Sequence, residues 1–381
     1  MMKNLKDVDI EDKAVFLRVD WNVPLRGGKI LDDWRIKATT PTIEFLRSKD
    51  AKIIIGTHLG RPDGEVIPSL STAILAQRFS KLADARVYST DYVIEQSVKK
   101  QISKLRPKEI IILGNLRWHS EEETNNQAFA RLLASGADLY VNDAFAVSHR
   151  VHASVEAITN FLPSYPGFLL EKEVTTLGVL IERPRHPFIL VLGGAKIKDK
   201  IGLLKRFAAL ADQILIGGAI ANTFRYSKGE DVSKSFYESN LADTVEEIID
   251  LAGSRLILPI DDRRRENDGG EFSILDIGPE TIKNFKRYIE SAKTIFWNGN
   301  MGYSEDKEFE NGTLEVARAI SKNLFVRIVA GGDTVGFLGS HDLISGYTFV
   351  STGGGAALEF LAGKELPGLK ALGYYGNKEN V

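Results

Sequence analysis

Short runs of β-branched and aliphatic residues alternate along the chain with longer stretches whose apolar positions recur at helical period. Ala14–Val19 reads as a strand, Thr40–Ser48 as a helix and Lys52–Gly56 as a strand. Ser71–Leu82 follows as a helix, Glu109–Leu113 as a strand, Asn126–Ser135 as a helix and Asp138–Val141 as a strand. The alternation resumes with strand Pro187–Leu192, helix Lys200–Leu210 and strand Gln213–Ile216. It continues through helix Asp243–Leu251, strand Arg255–Ile260, helix Pro279–Glu290, strand Thr294–Trp297, helix Leu314–Ser321 and strand Val326–Val329. Several strands are continuously apolar, such as Lys52-Ile-Ile-Ile-Gly56, and such strands are buried on both faces of a parallel sheet. The pattern predicts an α/β protein: two doubly wound parallel-sheet lobes of Rossmann type joined by a helix, with a cleft between them.

The boundary is expected near Leu170–Pro187. Glu171–Glu182 has helical period and ends at Arg183-Pro-Arg-His-Pro187, where two prolines bar continuation. This divides the chain into a first domain over residues 1–170, a connector helix and hinge over 171–187, and a second domain over 188–365.

Composition narrows the function. A length of 381 residues exceeds what one core usually holds, roughly 250–300 residues. The net charge of -2 offers no excess of cations for a polyanion, so nucleic-acid binding is not expected. Cysteine is absent, which excludes disulfides, thiol catalysis and thiolate metal sites. The N-terminus lacks the apolar core of a signal peptide, and no apolar run approaches the roughly 20 residues of a membrane span. A cytoplasmic, membrane-free monomer is the expectation.

Ligands of open α/β sheets bind at the carboxyl ends of the strands, so the residues just after each apolar run carry the chemistry. In the first half these are cations and hydrogen-bonding groups: Asp20-Trp-Asn22, His58-Leu-Gly-Arg61, Asn115-Leu-Arg117, Asn142-Asp143 and Ser148-His-Arg-Val-His152. Arg35 falls in the loop after the first strand. A single arginine there is most often solvated or ion-paired. Recurrence at several strand ends points instead to a site for a small anion, because guanidinium donors match carboxylate and phosphate oxygens.

In the second half the same ends carry glycines: Gly193-Gly-Ala-Lys196 with Lys200 following, Gly217-Gly218, Gly299-Asn-Met-Gly302, Gly331-Gly-Asp-Thr334 and Gly353-Gly-Gly355. Glycine lets backbone N–H groups close on phosphate oxygens, and a helix N-terminus adds a favourable dipole. Glycine pairs also serve tight turns, there is no Walker A loop, and no GxGxxG follows a strand. With Lys196, Lys200 and Asp333 among them, these ends favour a nucleotide's phosphates. Asp333 suits Mg²⁺, which takes one or two protein carboxylates beside phosphate oxygens. The charged run Asp261-Asp-Arg-Arg-Arg-Glu266 reads as a solvated turn.

These segments resemble the phosphoglycerate kinases, and the resemblance spans nearly the whole chain. Arg18-Val-Asp-Trp-Asn-Val-Pro24 is similar to the family's RVDFNVP, Thr57-His-Leu-Gly-Arg-Pro62 to SHLGRP, and Asn115-Leu-Arg-Trp-His119 with Glu121–Glu123 to ENLRFH-EEE. Tyr140–Phe145 and His149-Arg-Val-His152 match YVNDAF and HRAH, and Gly193–Lys200 resembles GGAKVxDK. Trp297-Asn-Gly299, Gly331–Thr334 and Ser351–Ala356 match as well.

The resemblance implies a glycolytic phosphotransferase that moves a phosphoryl group between 1,3-bisphosphoglycerate and ADP, giving 3-phosphoglycerate and ATP, with Mg²⁺ bound beside the nucleotide. It implies that Asp20, Asn22, Arg35, His58, Arg61, Arg117 and Arg150 hold the phosphoglycerate. Gly194, Lys200, Gly218, Glu305, Gly331, Gly332, Asp333 and Thr334 would hold the nucleotide, with Asp333 toward the metal. Arg35, Lys196, Lys200, Gly354 and Gly355 would act at the transferring group. The tail, 366–381, would return to the first domain. The lobes would close about the ends of the connector and Ser351–Gly355.

The departures lie in the second half. Asn300 replaces a proline and Ser304 a phenylalanine in the WNGPxGxFE segment, and loss of a fixed φ loosens that loop. Ala219 replaces the last of three glycines. An alternative reading is a nucleotide-binding homologue that has lost catalysis and serves a regulatory role. Retention of Arg35, Lys196 and Lys200 argues against it, since such groups matter for catalysis. A dinucleotide-dependent oxidoreductase suits the fold class but lacks the fingerprint.

Overall fold

The computed structural model describes residues 2–375 apart from Asp84 and Ile94. It divides into two compact units, one holding the chain up to Thr175 together with the chain from Glu365, the other Thr176–Lys364.

The first unit contains β1 (Ala14–Arg18), a small hairpin of β2 (Leu25–Arg26) and β3 (Lys29–Ile30), then β4 (Lys52–Gly56), β5 (Val87–Ser89), β6 (Ile110–Ile112), β7 (Leu139–Asn142) and β8 (Ser164–Pro166). Apart from the hairpin, these form one six-stranded sheet in the order β5-β6-β4-β1-β7-β8, parallel throughout. The alternation of side chains explains why the strands are apolar at every position. Val15, Leu17, Ile53, Ile55, Ile110, Ile112 and Val141 enter the core on one face. Phe16, Ile54, Ile111 and Tyr140 enter a separate core on the other.

The second unit repeats the architecture with β9 (Phe188–Leu192), β10 (Gln213–Ile216), β11 (Leu256–Ile257), a hairpin of β12 (Asp262–Glu266) and β13 (Phe272–Ile277), β14 (Thr294–Asn298), β15 (Val326–Ala330) and β16 (Phe349–Val350). Its six-stranded sheet runs β11-β10-β9-β14-β15-β16, again parallel. Every residue of β9 and β14 is buried. After β9 the chain builds outward on one side through β10, then crosses to β14 on the other. The chain thus leaves β9 toward β10 and β14 toward β15, which puts the switch point of the doubly wound sheet at the carboxyl ends of β9 and β14.

The structure corrects three local expectations. The charged run 261–266 is strand β12, paired antiparallel with β13 from Asp262↔Ile277 to Glu266↔Phe272, not a turn. Its charges escaped a strand reading because both faces of this two-stranded ribbon carry polar groups. Arg35 sits in a short helix, Trp34–Ala38, not in a loop. The connector helix begins at Phe168, before Glu171, and runs to Glu182. Tertiary capping extends it: Phe168 N donates to Thr42 Oγ1 at 2.9 Å, and Leu169 N and Leu170 N donate to Asp143 Oδ1 at 2.9 and 3.1 Å. Of the tail, Gly368 N donates to Ser148 O at 2.9 Å, and Leu366 and Leu369 are buried; residues 376–381 lie outside the described residues. No helix among the described residues is long and apolar enough to cross a membrane.

Candidate active site

At the carboxyl ends of β1, β4 and β6 the first unit gathers cations around a buried core. Asp20, directly after β1, accepts from Arg35 Nη1. Asn22 Oδ1 accepts from Gly60 N at 2.9 Å, and Arg117 Nη1 donates to Gly60 O at 3.2 Å, so the turn carrying Arg61 is pinned from two sides. Asn115 braces the same turn, accepting from Leu59 N at 3.3 Å and donating to Leu59 O at 2.7 Å. Arg117 is 4% exposed and forms an ion pair with Glu123 at 3.2 Å, its Nε lacking an aligned hydrogen bond. Arg61 is exposed and Arg150 half-buried; among the described residues neither has a carboxylate partner.

Electrostatics record the convergence. Burial pushes His58 well below the usual imidazole range, and the charges of Arg18, Arg117 and Arg35 push the same way. His152 is pushed down to about 3 by burial, then by Arg18, Arg117 and Arg150. Both rings are therefore neutral donors and acceptors at neutral pH, and fixed charge comes from the guanidinium groups. Arg35, His58, Arg117 and Arg150 meet here with Asp20; Arg61 stands in the adjoining turn.

Three participants were not singled out as site residues: Arg18, Glu122 and Ser154. Arg18 and Glu122 are 0% exposed. Arg18 Nε donates to Ser154 Oγ at 2.7 Å, Ser154 Oγ donates to Glu122 Oε1 at 2.6 Å, and Ser154 N donates to Glu122 Oε2 at 2.9 Å. Deleting one member of a buried pair of this kind typically costs about 3–5 kcal/mol. A charged residue closing an otherwise apolar strand was the available signal for Arg18.

The second unit holds a cleft of about 530 Å³ at its switch point. The loop after β14 touches those after β9 and β10 there: Gly194 N donates to Asn300 O, and Gly218 N to Met301 O, both at 2.7 Å. This contact dictates the glycines. A Cβ on Gly299, at φ 92°, would lie 2.2 Å from Gly193 O, and one on Gly218, at φ 61°, 2.7 Å from Gly194 N. Two helices, Gly218–Ser227 and Gly332–Ser340, begin at the cleft and turn the positive ends of their dipoles toward it. Gly194, Lys196, Lys200, Gly218, Glu305, Gly331, Gly332, Asp333 and Thr334 all line it; Gly354 and Gly355 do not. Gly354, at φ 51°, starts the helix Gly355–Leu361.

The two lysines differ. Lys196 is exposed, whereas Lys200 is 8% exposed, its ammonium against Gly194. Burial lowers the Lys200 pKa, and Asp199, Asp333 and Glu238 oppose that shift. Thr334 Oγ1 accepts from Gly299 N at 2.9 Å, so its hydroxyl holds the glycine loop. The apolar wall was missed by the sequence reading. Phe236, Ile274, Leu275 and Tyr303 line the cleft, and Ile274 and Leu275 come from β13, the partner of the strand read as a turn. Such a wall suits the flat face of a base.

The loop with Asn300 and Ser304 is bridged rather than loose: Asn300 Nδ2 donates to Ser304 Oγ at 2.6 Å. Among the described residues no three histidine, aspartate or glutamate side chains cluster as a metal cage. The cleft is lined by the carboxylates Asp199, Glu305 and Asp333, and one or two such groups fit a divalent cation held largely by phosphate oxygens.

A cationic pocket in one unit and a glycine-lined, base-walled cleft in the other are the parts of a small-molecule kinase. The sequence profile of phosphoglycerate kinase matches residues 5–364. The chain belongs to the phosphoglycerate kinase family. It is 42% identical over 389 residues to the phosphoglycerate kinase of Finegoldia magna, covering 97% of this chain and 98% of that one. To that of Coprothermobacter proteolyticus it is 41% identical, with the same coverage. The solved phosphoglycerate kinase of Pyrococcus horikoshii superposes with a TM-score of 0.87 at 34% identity, covering 98% of both chains. That of Coxiella burnetii gives 0.85 at 33% identity, over 98% of this chain and 99% of that one. Membership makes the protein a phosphotransferase with two parallel-sheet α/β domains.

Proposed function

We propose that this chain catalyses reversible Mg²⁺-dependent transfer of a phosphoryl group from 1,3-bisphosphoglycerate to ADP, giving 3-phosphoglycerate and ATP. The observation that carries this reading is a glycine-lined, apolar-walled cleft lined by both Lys200 and Asp333, alongside a separate guanidinium cluster suited to a small anion. In the reverse direction the bond from the γ-phosphorus to the β-phosphate oxygen breaks, and a bond to a 3-phosphoglycerate carboxylate oxygen forms. No protein nucleophile is required, so catalysis is positioning plus electrostatic stabilisation.

Arg35, Arg117 and Arg150 supply charge to the phosphoglycerate, with Arg61 adding an exposed guanidinium and His58 a neutral donor. Asn22 and Asp20 orient these groups. Gly194 and Gly218, whose amides bind the neighbouring loop, leave room for the nucleotide phosphates, the amides of Gly331 and Gly332 face them, and Lys200 neutralises charge on the transferring group. Lys196 completes that region, Gly354 and Gly355, outside the cleft, are assigned to the transferring group by the family resemblance alone, and Glu305 takes the ribose. Asp333 would hold the Mg²⁺, which supplies charge neutralisation to the nucleotide phosphates when bound. Reacting atoms must come within about 3–3.5 Å, so the two domains close on their ligands.

An assay with 3-phosphoglycerate, ATP and Mg²⁺, coupled to reduction of the acyl phosphate, tests the reading. Activity that needs all three supports it; none at millimolar substrates refutes it. Radioactivity from γ-labelled ATP that stays on denatured protein would overturn direct transfer. Small-angle scattering checks closure: the radius of gyration falls most with 3-phosphoglycerate and a non-reacting nucleotide together.

A further inference from the structure

We propose that Arg18, anchored by Glu122 through Ser154, is a positioning residue that fixes His58 as the neutral tautomer with its proton on Nε2 and so keeps Asp20 for Arg35. The argument starts from donors and acceptors. Arg18 Nη2 lies 3.4 Å from His58 Nδ1. A guanidinium has N–H donors and no acceptor, so Nδ1 must accept, and the ring proton of a neutral imidazole then sits on Nε2. The guanidinium cannot rotate away. Nε is held on Ser154 Oγ, Nη1 donates to Val19 O, and Glu122 lies 3.9 Å from Nη2.

The alternative tautomer would have consequences. Asp20 Oδ1 is 3.7 Å from His58 Nδ1. Arg35 engages the other oxygen, Oδ2; with a proton on Nδ1, His58 would draw on the same carboxylate and turn it from Arg35. Arg18 occupies Nδ1 and removes that competitor. The charged and titratable groups facing His58 are Arg18 from β1, Asp20 after it, Arg35 from its short helix, Arg117 from the turn after β6, and His152 from the loop after β7. Only one of these is an anion, and it is engaged by Arg35. The result is a relay from a buried carboxylate, Glu122, to the partly exposed catalytic candidate Arg35, with every member in one domain.

The inference rests on the reading of this pocket as the phosphoglycerate site, but its first test needs no ligand. Nitrogen-15 spectra of the imidazole in the free protein report tautomer and charge directly. The expected result is a neutral Nε2–H ring for His58 from pH 8 down to pH 5. A ring protonated on Nδ1, or an imidazolium at pH 7, overturns the proposal whatever the enzyme's substrate proves to be. Arg18→Met and the milder Ser154→Ala are then compared by the same spectra and by kinetics. Folded Arg18→Met should shift the proton toward Nδ1 and add an ionisation to the acid limb of the kcat/KM profile. Its KM for 3-phosphoglycerate should rise about tenfold, the scale of one hydrogen bond to a charged group, with the nucleotide KM unchanged. Ser154→Ala should show the same changes in smaller degree. Folded variants with the wild-type tautomer and pH profile would refute the role; if Arg18→Met fails to fold, Ser154→Ala and the wild-type spectrum still decide. Failure of 3-phosphoglycerate to bind the wild type would count against the substrate reading alone.

Discussion

The side-chain amide of Asn300 donates to the hydroxyl of Ser304 at 2.6 Å, spanning the loop that leads from β14 to Glu305. These are the two positions at which the chain departs from the family's proline and phenylalanine. A side-chain bridge takes over part of the restraint that a fixed φ would supply. The other end of the amide, Oδ1, is buried without a hydrogen-bond partner. The loop is also held from below, where Met301 N donates to Thr313 Oγ1 at 3.0 Å. Ser304→Ala should therefore raise the nucleotide KM about fivefold, the scale of a neutral hydrogen bond worth about 1 kcal/mol, and leave the 3-phosphoglycerate KM alone. A double-mutant cycle with Asn300→Ala checks the coupling; additive effects would mean that the bridge carries no restraint.

Arg35 is partly exposed, and its only ion pair among the described residues is with Asp20. One face of the guanidinium is thus oriented by protein while the rest faces the pocket. Arg35→Ala should lower kcat by about 10²–10³-fold, as for loss of one preorganised electrostatic donor. Arg35→Lys should recover part of this, because an ammonium lacks the planar fork. Steady-state kinetics on both variants, with circular dichroism to verify folding, would expose the idea if the alanine variant kept near-normal kcat.

Asp333 raises the pKa of Lys200 against the effect of burial. Asp333→Asn removes that support, so Lys200 should lose its proton at a lower pH. The alkaline limb of kcat/KM for the nucleotide should move down in pH, and Mg-nucleotide use should weaken far more than 3-phosphoglycerate binding. Equal losses for both substrates would indicate a folding defect.

Asp143 is buried at the start of the connector helix, and burial raises its pKa to about 6 against the opposing hydrogen bonds from Thr42, Leu170 and Leu169. The folded form binds its proton more tightly than the unfolded chain, whose carboxyl titrates near 3.9. Its contribution to stability is therefore full below about pH 4 and is lost as pH rises through about 6. Asp143→Asn can still accept from Leu169 and Leu170 yet does not titrate. The wild type minus variant difference in Tm should fall from pH 4 to pH 7 and then level off. A difference that rises with pH would show that the carboxylate is stabilised, not penalised, at this site.

Much of the architecture was legible in the amino-acid sequence, because its physical causes are local. Lys52–Gly56 and Gln213–Ile216 are strands with the expected limits, and Thr40–Ser48 is a helix with the expected limits. Continuous apolar runs have no other soluble use in an alternating α/β pattern. The strand-end arginines and glycines were visible for the same reason, since parallel topology sends every such end to one edge of its sheet. What the tertiary structure alone decided is who meets whom. The hairpin of β12 and β13 is held by pairing across the ribbon, so its charged strand gave no periodic signal while its partner supplies Ile274 and Leu275 to the cleft. The connector helix starts early because Thr42 and Asp143, distant in sequence, cap its first N–H groups. The Arg18–Ser154–Glu122 network reaches across the chain, with Ser154 136 positions after Arg18. A hydrogen bond across such a separation depends on the packing of whole strands and loops, and no local pattern of hydrophobic and polar residues encodes it.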